Sequence, residues 1–348
     1  WGNCSLDPNS QNYISKVIGD QYISLGGTTN DAYLTYTGDH PNKSKYVRVE
    51  VFEKTVDYLD ENGNVRVGVA SASLPSFYSG SNSGSSYGSF SGGSDGTVSH
   101  PINFYDNIAQ QTQGFDLSVS AQVDQYTKAL NLLANADEYD FNLLLLPGII
   151  KNQTGHSAII TKAIDVCEDR SDAFVVVDSV DYSTTNLTTV TAEFESVDSN
   201  YAATYWPWVQ ISDQQIGKNV WVPPSVVMPE IYAFNDKVAA PWFAPAGLNR
   251  GVLTTVVQAA RKLTHANRDA LYEKNVNPIA TFPGQGVVVW GQKTLQKKAS
   301  ALDRVNVRRL LIKVKKFIAS SSRFLVFEQN NAQTRNRFLN IVNPYLEQ

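Results

Sequence analysis

The chain has 348 residues, 42% of them hydrophobic and 18% charged, enough apolar mass to bury a sizeable core and to fold as two domains. A formal charge of -4 and an isoelectric point near 5.6 argue against a protein devoted to nucleic acid, whose domain would be strongly basic, so any basic patch is local. Cys4 and Cys167 are too few for a disulfide framework or a structural zinc site and point to a reducing compartment, and no apolar run nears the roughly 20 residues that a membrane span needs.

In chain order, Asp7-Pro8-Asn9-Ser10 precedes Tyr13, Ile14, Val17 and Ile18, closed by Gly19. A capping start, helical apolar spacing and a glycine stop predict a short amphipathic helix. Residues 32–36, 47–56 and 65–69 alternate as strands do, and Asp60-Glu61-Asn62-Gly63 supplies a hairpin turn, so residues 1–91 read as a β-rich peripheral domain. Between 74 and 97 the composition falls to Ser, Gly, Asn and a few aromatics, which predicts a long mobile loop.

From residue 92 onward helices and strands alternate. Apolar residues recur at helical spacing over 123–134, and 141–146 is a continuous apolar run suited to a strand buried on both faces. Residues 157–169 read as helix, 173–177 as a second buried strand, and 200–211 as an aromatic strand around Tyr201, Tyr205, Trp206 and Trp208. A helix opens at Pro223-Pro224-Ser225 and runs to 238; 241–250 is loop, and 251–260 is helix or extended. Helix follows over 264–273, strand over 285–290, then helices over 303–320 and 331–341. The alternation predicts an α/β class, α+β overall: a layered α/β body over 92–348 with a mixed sheet flanked by helices.

Candidate chemistry is sparse. Gly155-His156-Ser157-Ala158-Ile159 follows a strand and opens a helix, as a nucleophile elbow does, but Ile159 stands where the second glycine belongs. Helix capping by Thr154 or Ser157 is the better account, and a serine hydrolase built on Ser157 is the runner-up function. Gly284-Gln285-Gly286 precedes a strand, whereas a dinucleotide fingerprint follows one, and the chain has no Gly-Lys-Ser/Thr phosphate loop. His40, His100, His156 and His265 have no metal-ligand spacing, and Asp178 and Asp181, past a buried strand, read as solvated strand ends. No catalytic, cofactor-binding or metal site emerges.

The directional signal lies near the C-terminus. Lys293, Lys297, Lys298, Arg304, Arg308, Arg309, Lys313, Lys315, Lys316 and Arg323 share a stretch in which Asp303 is the acid. On a helix an apolar seam of Val307, Leu310, Leu311, Val314 and Ile318 would be buried, with Arg308, Lys315 and Lys316 facing away. A solvated face, an acidic protein partner and nucleic acid all fit such a surface, although aromatics do not interleave with these cations as stacking on bases would require.

Several stretches together resemble the tail sheath proteins of contractile-tailed phages. They are Gly92-Gly93-Ser94-Asp95-Gly96; Leu132-Leu133-Ala134-Asn135 with Tyr139-Asp140-Phe141-Asn142-Leu143-Leu144-Leu145-Leu146-Pro147-Gly148; Asp172-Ala173-Phe174-Val175-Val176-Val177-Asp178; Pro223-Pro224-Ser225; Trp242-Phe243-Ala244-Pro245-Ala246-Gly247-Leu248-Asn249-Arg250-Gly251; Asn275-Val276-Asn277-Pro278-Ile279; and Asp303-Arg304-Val305-Asn306-Val307-Arg308-Arg309-Leu310. The likeness spans 92–346; Glu230 departs from it, standing where a small residue is expected. The chain opens on Trp1, its single methionine is Met228, and it stops at Gln348, so it reads as a piece lacking N- and C-terminal arms.

The resemblance implies a noncatalytic structural subunit with no cofactor. Its expected partners are other sheath subunits, a tail tube protein, and baseplate and tail terminator proteins, with no nucleic acid and no membrane span. The expected place is the virion tail, after assembly in the host cytoplasm. It further implies that Arg308, Arg309, Lys313, Lys315 and Lys316 form a tube-facing basic surface, that the peripheral domain lies outward, and that this piece alone is monomeric.

Overall fold

The computed structural model describes residues 1–2, 4–51, 67, 117–214 and 217–347. The chain divides into two compact units, Trp1–Asp95 and Gly96–Gln348.

In the first unit a short helix α1 (Ile14–Ile18) ends at Gly19, whose φ of 106° and close backbone neighbours Pro41 and Asn42 leave no room for a Cβ. Asp7 and Ser10 cap turns ahead of the helix, through Asn9 and Asn12 N–H groups, and no side chain caps the helix itself. Strands β1 (Tyr22–Thr28) and β2 (Asp31–Thr37) form an antiparallel hairpin. β2 matches the predicted strand over 32–36, but its partner is β1, which the reading missed. Residues 47–51 are not strand; the rest of that segment, the 65–69 strand apart from Val67, the Asp60–Gly63 turn and the 74–97 loop lie outside the described residues.

The second unit is the mixed α/β body. Helix α2 (Ser120–Leu133) leads to β3 (Leu143–Ile150), α3 (His156–Arg170), β4 (Phe174–Asp178), α4 (Leu187–Ala192) and β5 (Ala202–Trp206). Then come β6 (Val209–Asp213), β7 (Lys218–Val222), α5 (Pro224–Val238), β8 (Val256–Ala259), α6 (His265–Glu273), β9 (Val276–Phe282) and β10 (Gly286–Val289). Helices α7 (Val305–Ser322) and α8 (Ala332–Leu346) close the chain. One sheet has the order β10-β9-β5-β4-β3, parallel from β9 to β3 with β10 antiparallel on the β9 edge; the other is antiparallel, ordered β7-β6-β8.

β4, Phe-Val-Val-Val-Asp, is buried at every position. A run of four apolar residues buried on both sides suits a parallel sheet covered on both faces, and α3 and α5 each pack on β3 and β4. Phe174, Tyr205, Phe194, Ile159, Met228, Ile231 and Ile279 fill the core around it. The predicted aromatic strand over 200–211 is two strands, β5 and β6, separated at the cis Trp206–Pro207 peptide. Residues 251–260, left between helix and strand, hold β8.

Candidate assembly surface

α7 crosses the starting ends of the sheet's strands. At its beginning Arg304 reaches the hydroxyl of Tyr272, in the last turn of α6, at 2.8 Å. In its middle Arg308 lies 4.0 Å over the Tyr201 ring, just before β5. Toward its end Lys316 donates to Asp140 at 2.5 Å and to the Phe141 carbonyl at 2.6 Å, ahead of β3, and just past it Arg323 pairs with Asp137 at 2.9 Å.

The face that α7 buries corrects the expected one. Val305, Arg308 and Ile312 are buried, while Val307, Leu310, Leu311, Val314 and Ile318 are only partly covered. Arg308 is 4% exposed and does not face away. The physical reason is that aromatic side chains from distant segments converge on the helix and take its cations face-on. Arg309 stacks 4.7 Å from the Tyr232 ring and pairs with Asp236 at 2.6 Å, and Lys313 lies 4.9 Å over Trp242. Lys315 lies 5.9 Å over Tyr201 and donates to its hydroxyl at 3.2 Å. Each such contact contributes about 0.5–2 kcal/mol, more where water is excluded. Burial raises the Tyr201 pKa, but hydrogen bonds from Ser171 and Lys315 and the charges of Arg308 and Lys315 together bring it below the ordinary value. Of the five residues expected on a tube-facing surface, Lys313 and Lys315 have exposed side chains, whereas Arg308, Arg309 and Lys316 are buried or half-buried inside the body.

The nucleophile-elbow segment does not assemble a serine–histidine pair. Gly155, at φ 82°, precedes α3, and no side chain caps that helix, so the expected capping by Thr154 or Ser157 is absent. His156 Nδ1 accepts the Ile150 N–H at 3.0 Å, and burial lowers its pKa to about 4; the ring serves the backbone. Ser157 Oγ instead accepts from Lys151 Nζ at 2.5 Å.

Asp178, expected at a solvated strand end, is buried. Its carboxylate accepts the Ser225 hydroxyl at 2.5 Å and the Ser225 N–H at 3.1 Å, so it caps the first turn of α5. Burial pushes its pKa up to about 7, against the opposing pull of the two Ser225 bonds. Asp181 is half-buried and accepts from Asn152, Gln153, Ser183 and Thr184, tying the loops after β3 and β4 together. The segment around Gly284 and Gly286 is the turn between β9 and β10. His265 is exposed and pairs with Asp269 one helical turn on.

Other quoted motifs also have structural causes. Buried Asn277 donates to the Thr204 and Lys293 carbonyls and accepts the Lys293 N–H at 2.6 Å, which pins the chain after β10 to the sheet. Gly251 sits where a Cβ would lie 2.7 Å from the Val289 carbonyl, and backbone bonds at Gly247, Gly251 and Leu253 lay this loop along β10. Glu230, the departure noted above, accepts from Thr254 and Thr255 and so joins α5 to the stretch before β8. Sequence reasoning missed the set at the β10 edge: Phe282 and Trp290 in ring contact at 4.6 Å, with Arg268 over both. A basic residue one turn into a helix beside two strand-end aromatics was its only sequence signal.

Among the described residues no group of side chains is arranged to hold a metal ion, and no helix is long and apolar enough to cross a membrane. The contacts of α7 make an α+β body braced by a basic helix whose cations lie on aromatic rings and pair with carboxylates. Residues 122–295, half of the chain, match the family model described as the phage tail sheath protein central domain. The chain belongs to the phage tail sheath family.

A tail sheath protein of Vibrio phage KVP40 is 29% identical over an alignment of 367 positions, covering 99% of this chain and 50% of the relative. The tail sheath protein of Enterobacteria phage T4 is 35% identical over 164 positions, covering 47% of this chain and 24% of that one. This chain therefore spans about half the length of the first relative and matches a quarter of the second. The contracted helical sheath of the anti-feeding prophage superposes with a TM-score of 0.52 at 26% identity, over 65% of this chain and 59% of that one. The contracted sheath complex of an extracellular contractile injection system, PVC, gives 0.52 at 25% identity, over 63% and 58%.

Proposed function

We propose that this protein is the subunit of a contractile tail sheath that polymerises helically around a tail tube and contracts to drive the tube through a host envelope. Within the virion it contacts other sheath subunits, the tube, the baseplate and the tail terminator, and before that it is assembled in the host cytoplasm. It performs no catalysis: the work comes from the free-energy difference between two packings of the same body. Even ~1 kcal/mol per subunit, a modest figure beside ordinary mutational effects, multiplies over a long polymer.

The observation that carries this reading is the fastening of α7 across the sheet. A body that transmits force must keep its shape while its neighbours move, and the contacts of Arg308 and Arg309 with Tyr201 and Tyr232 stiffen it without polar chemistry that could serve a substrate. The tube contact expected of the basic helix narrows to Lys313 and Lys315, the two exposed residues of the five, which would offer weak, releasable pairing of ~0–1 kcal/mol each. The first unit belongs on the outside of the polymer, away from the tube.

Electron microscopy of the full-length protein expressed with its tube protein tests the reading. Regular tubular polymers are expected; dispersed particles at every protein concentration would overturn it.

A further inference from the structure

The two edges of the five-stranded sheet carry opposite chemistry. On the β3 side, α2 and α3 present Asp124, Asp165, Glu168 and Asp169, all exposed, and none of them is in an ion pair within the described residues. Asp165, Glu168 and Asp169 fall on one face of α3, at spacings of three and four. On the β10 side lie Arg250 and Arg268, also outside any ion pair among the described residues, with their guanidinium planes over Phe243 at 5.2 Å and over Phe282 and Trp290 at 5.1 and 5.9 Å. Around them Phe243, Leu248 and Trp290 are 43%, 45% and 41% exposed, which leaves large apolar side chains in water beside cations that lack an acid.

Exposed aromatics with arginines stacked on them are the composition of an interface centre, where water is displaced and the guanidinium remains free to meet a carboxylate. The carboxylates that would match are at the other edge. Four strand spacings separate β10 from β3, about 19 Å, so the two patches cannot meet within one subunit. They can meet between two copies stacked edge to edge. Such a contact joins unlike surfaces, so it leaves a free patch of each kind at either end and propagates.

We infer that the β10 edge, through Arg250, Arg268, Phe243, Leu248 and Trp290, docks onto the α2–α3 face of a second copy of this chain, through Asp165, Glu168 and Asp169. This rests on the sheath reading and adds which surfaces join and with what polarity. The charges set the register and suppress like-to-like encounters; the aromatics supply the area withdrawn from water.

Charge reversal in the full-length polymer tests the pairing. Glu168→Lys with Asp169→Lys makes both edges basic, and Arg250→Glu with Arg268→Glu makes both acidic. Each variant alone is expected to lose polymer at least about ten-fold, because like charges then face each other. The two variants mixed, and the chain carrying all four changes, are expected to regain it. Polymer from either variant alone at the unsubstituted level, or no regain in the mixture when both variants melt at the unsubstituted temperature, would overturn the pairing.

A second measurement leaves both arginines and the Asp165 and Asp169 carboxylates in place. Chains with Leu248→Cys and chains with Glu168→Cys, both also carrying Cys4→Ser, should cross-link to each other under mild oxidation once polymerised. Polymers that form without that cross-link would overturn the pairing while leaving the sheath reading intact. Unsubstituted protein that forms no polymer would remove both.

Discussion

Strand β4 and helix α7 belong to one body but are held by different forces. β4 is hydrogen-bonded to β3 and β5 along its two edges, and its side chains are buried at all five positions by packing, apart from the Asp178 carboxyl that caps α5. α7 buries Val305 and Ile312 together with an arginine, and its remaining grip comes from cations lying on aromatic rings and paired with acids. Dispersion and water exclusion hold the first; charge against quadrupole and carboxylate holds the second. A body built this way has a centre that fails only through cavities or unpaired charge, and a brace that fails one contact at a time.

The contrast is sharpest in the core. Phe174→Ala should cost about 3–5 kcal/mol, since the cavity left in a fully enclosed strand cannot collapse. Lys313→Ala, exposed on α7, should cost less than about 1 kcal/mol. Urea unfolding of the second unit measures both, and equal losses would erase the distinction.

Acid–base linkage probes two buried groups, Asp178 and His156, which act with opposite sign. Asp178 holds its proton in the folded state up to about pH 7, whereas the unfolded carboxyl loses it near 4, so its contribution is present at low pH and is lost as pH rises between those values. The swing is about 4 kcal/mol at most. His156 stays neutral down to about pH 4 when folded, while the unfolded imidazole protonates below about 6.5, so its contribution is lost as pH falls through that window. Asp178→Asn should therefore gain on the unsubstituted protein as pH rises from 4 to 7, and His156→Gln should gain on it as pH falls from 6.5 to 4. Melting temperatures across pH 4–8 check both signs, and parallel curves for all three proteins would refute the burial argument.

Arg308 tests the brace. Arg308→Ala should cost about 2–3 kcal/mol through lost packing and an unstacked Tyr201, whereas Arg308→Met, which refills the volume, should fall within about 1 kcal/mol of the unsubstituted protein. The smallest effect belongs to α8, where Val342 is the buried residue: Leu339→Ala at its exposed face should stay within about 0.5 kcal/mol. A larger loss would mean that α8 is part of the sealed body.

The sheet body was legible because its signals are local. The apolar runs of β3 and β4, the Pro223-Pro224 helix start and the helical spacing of α2 and α3 each report burial from a short window. β1, α4, β7 and β9 escaped for want of such a window: β1 contains Gly26 and Gly27, α4 is Thr-rich, β7 opens on Lys218 and Asn219, and β9 carries Asn277 and Pro278 near its start. The α7 error has a different origin. Helical periodicity assigns burial to the apolar stripe, but Tyr201, Tyr232 and Trp242 come from 71 to 114 residues upstream of the cations they meet, and no single window contains both partners. The Asp178–Ser225 cap was hidden in the same way, as two separate motifs that only the fold brings together.

The central claim is that the body keeps its shape while its neighbours rearrange. Cryo-electron microscopy of the full-length polymer before and after contraction measures this directly. The account predicts that Arg308 stays on Tyr201 and Asp178 stays bonded to Ser225 in both states, with change confined to contacts between subunits. An α7 that lifts off the sheet in one of the two states would contradict it.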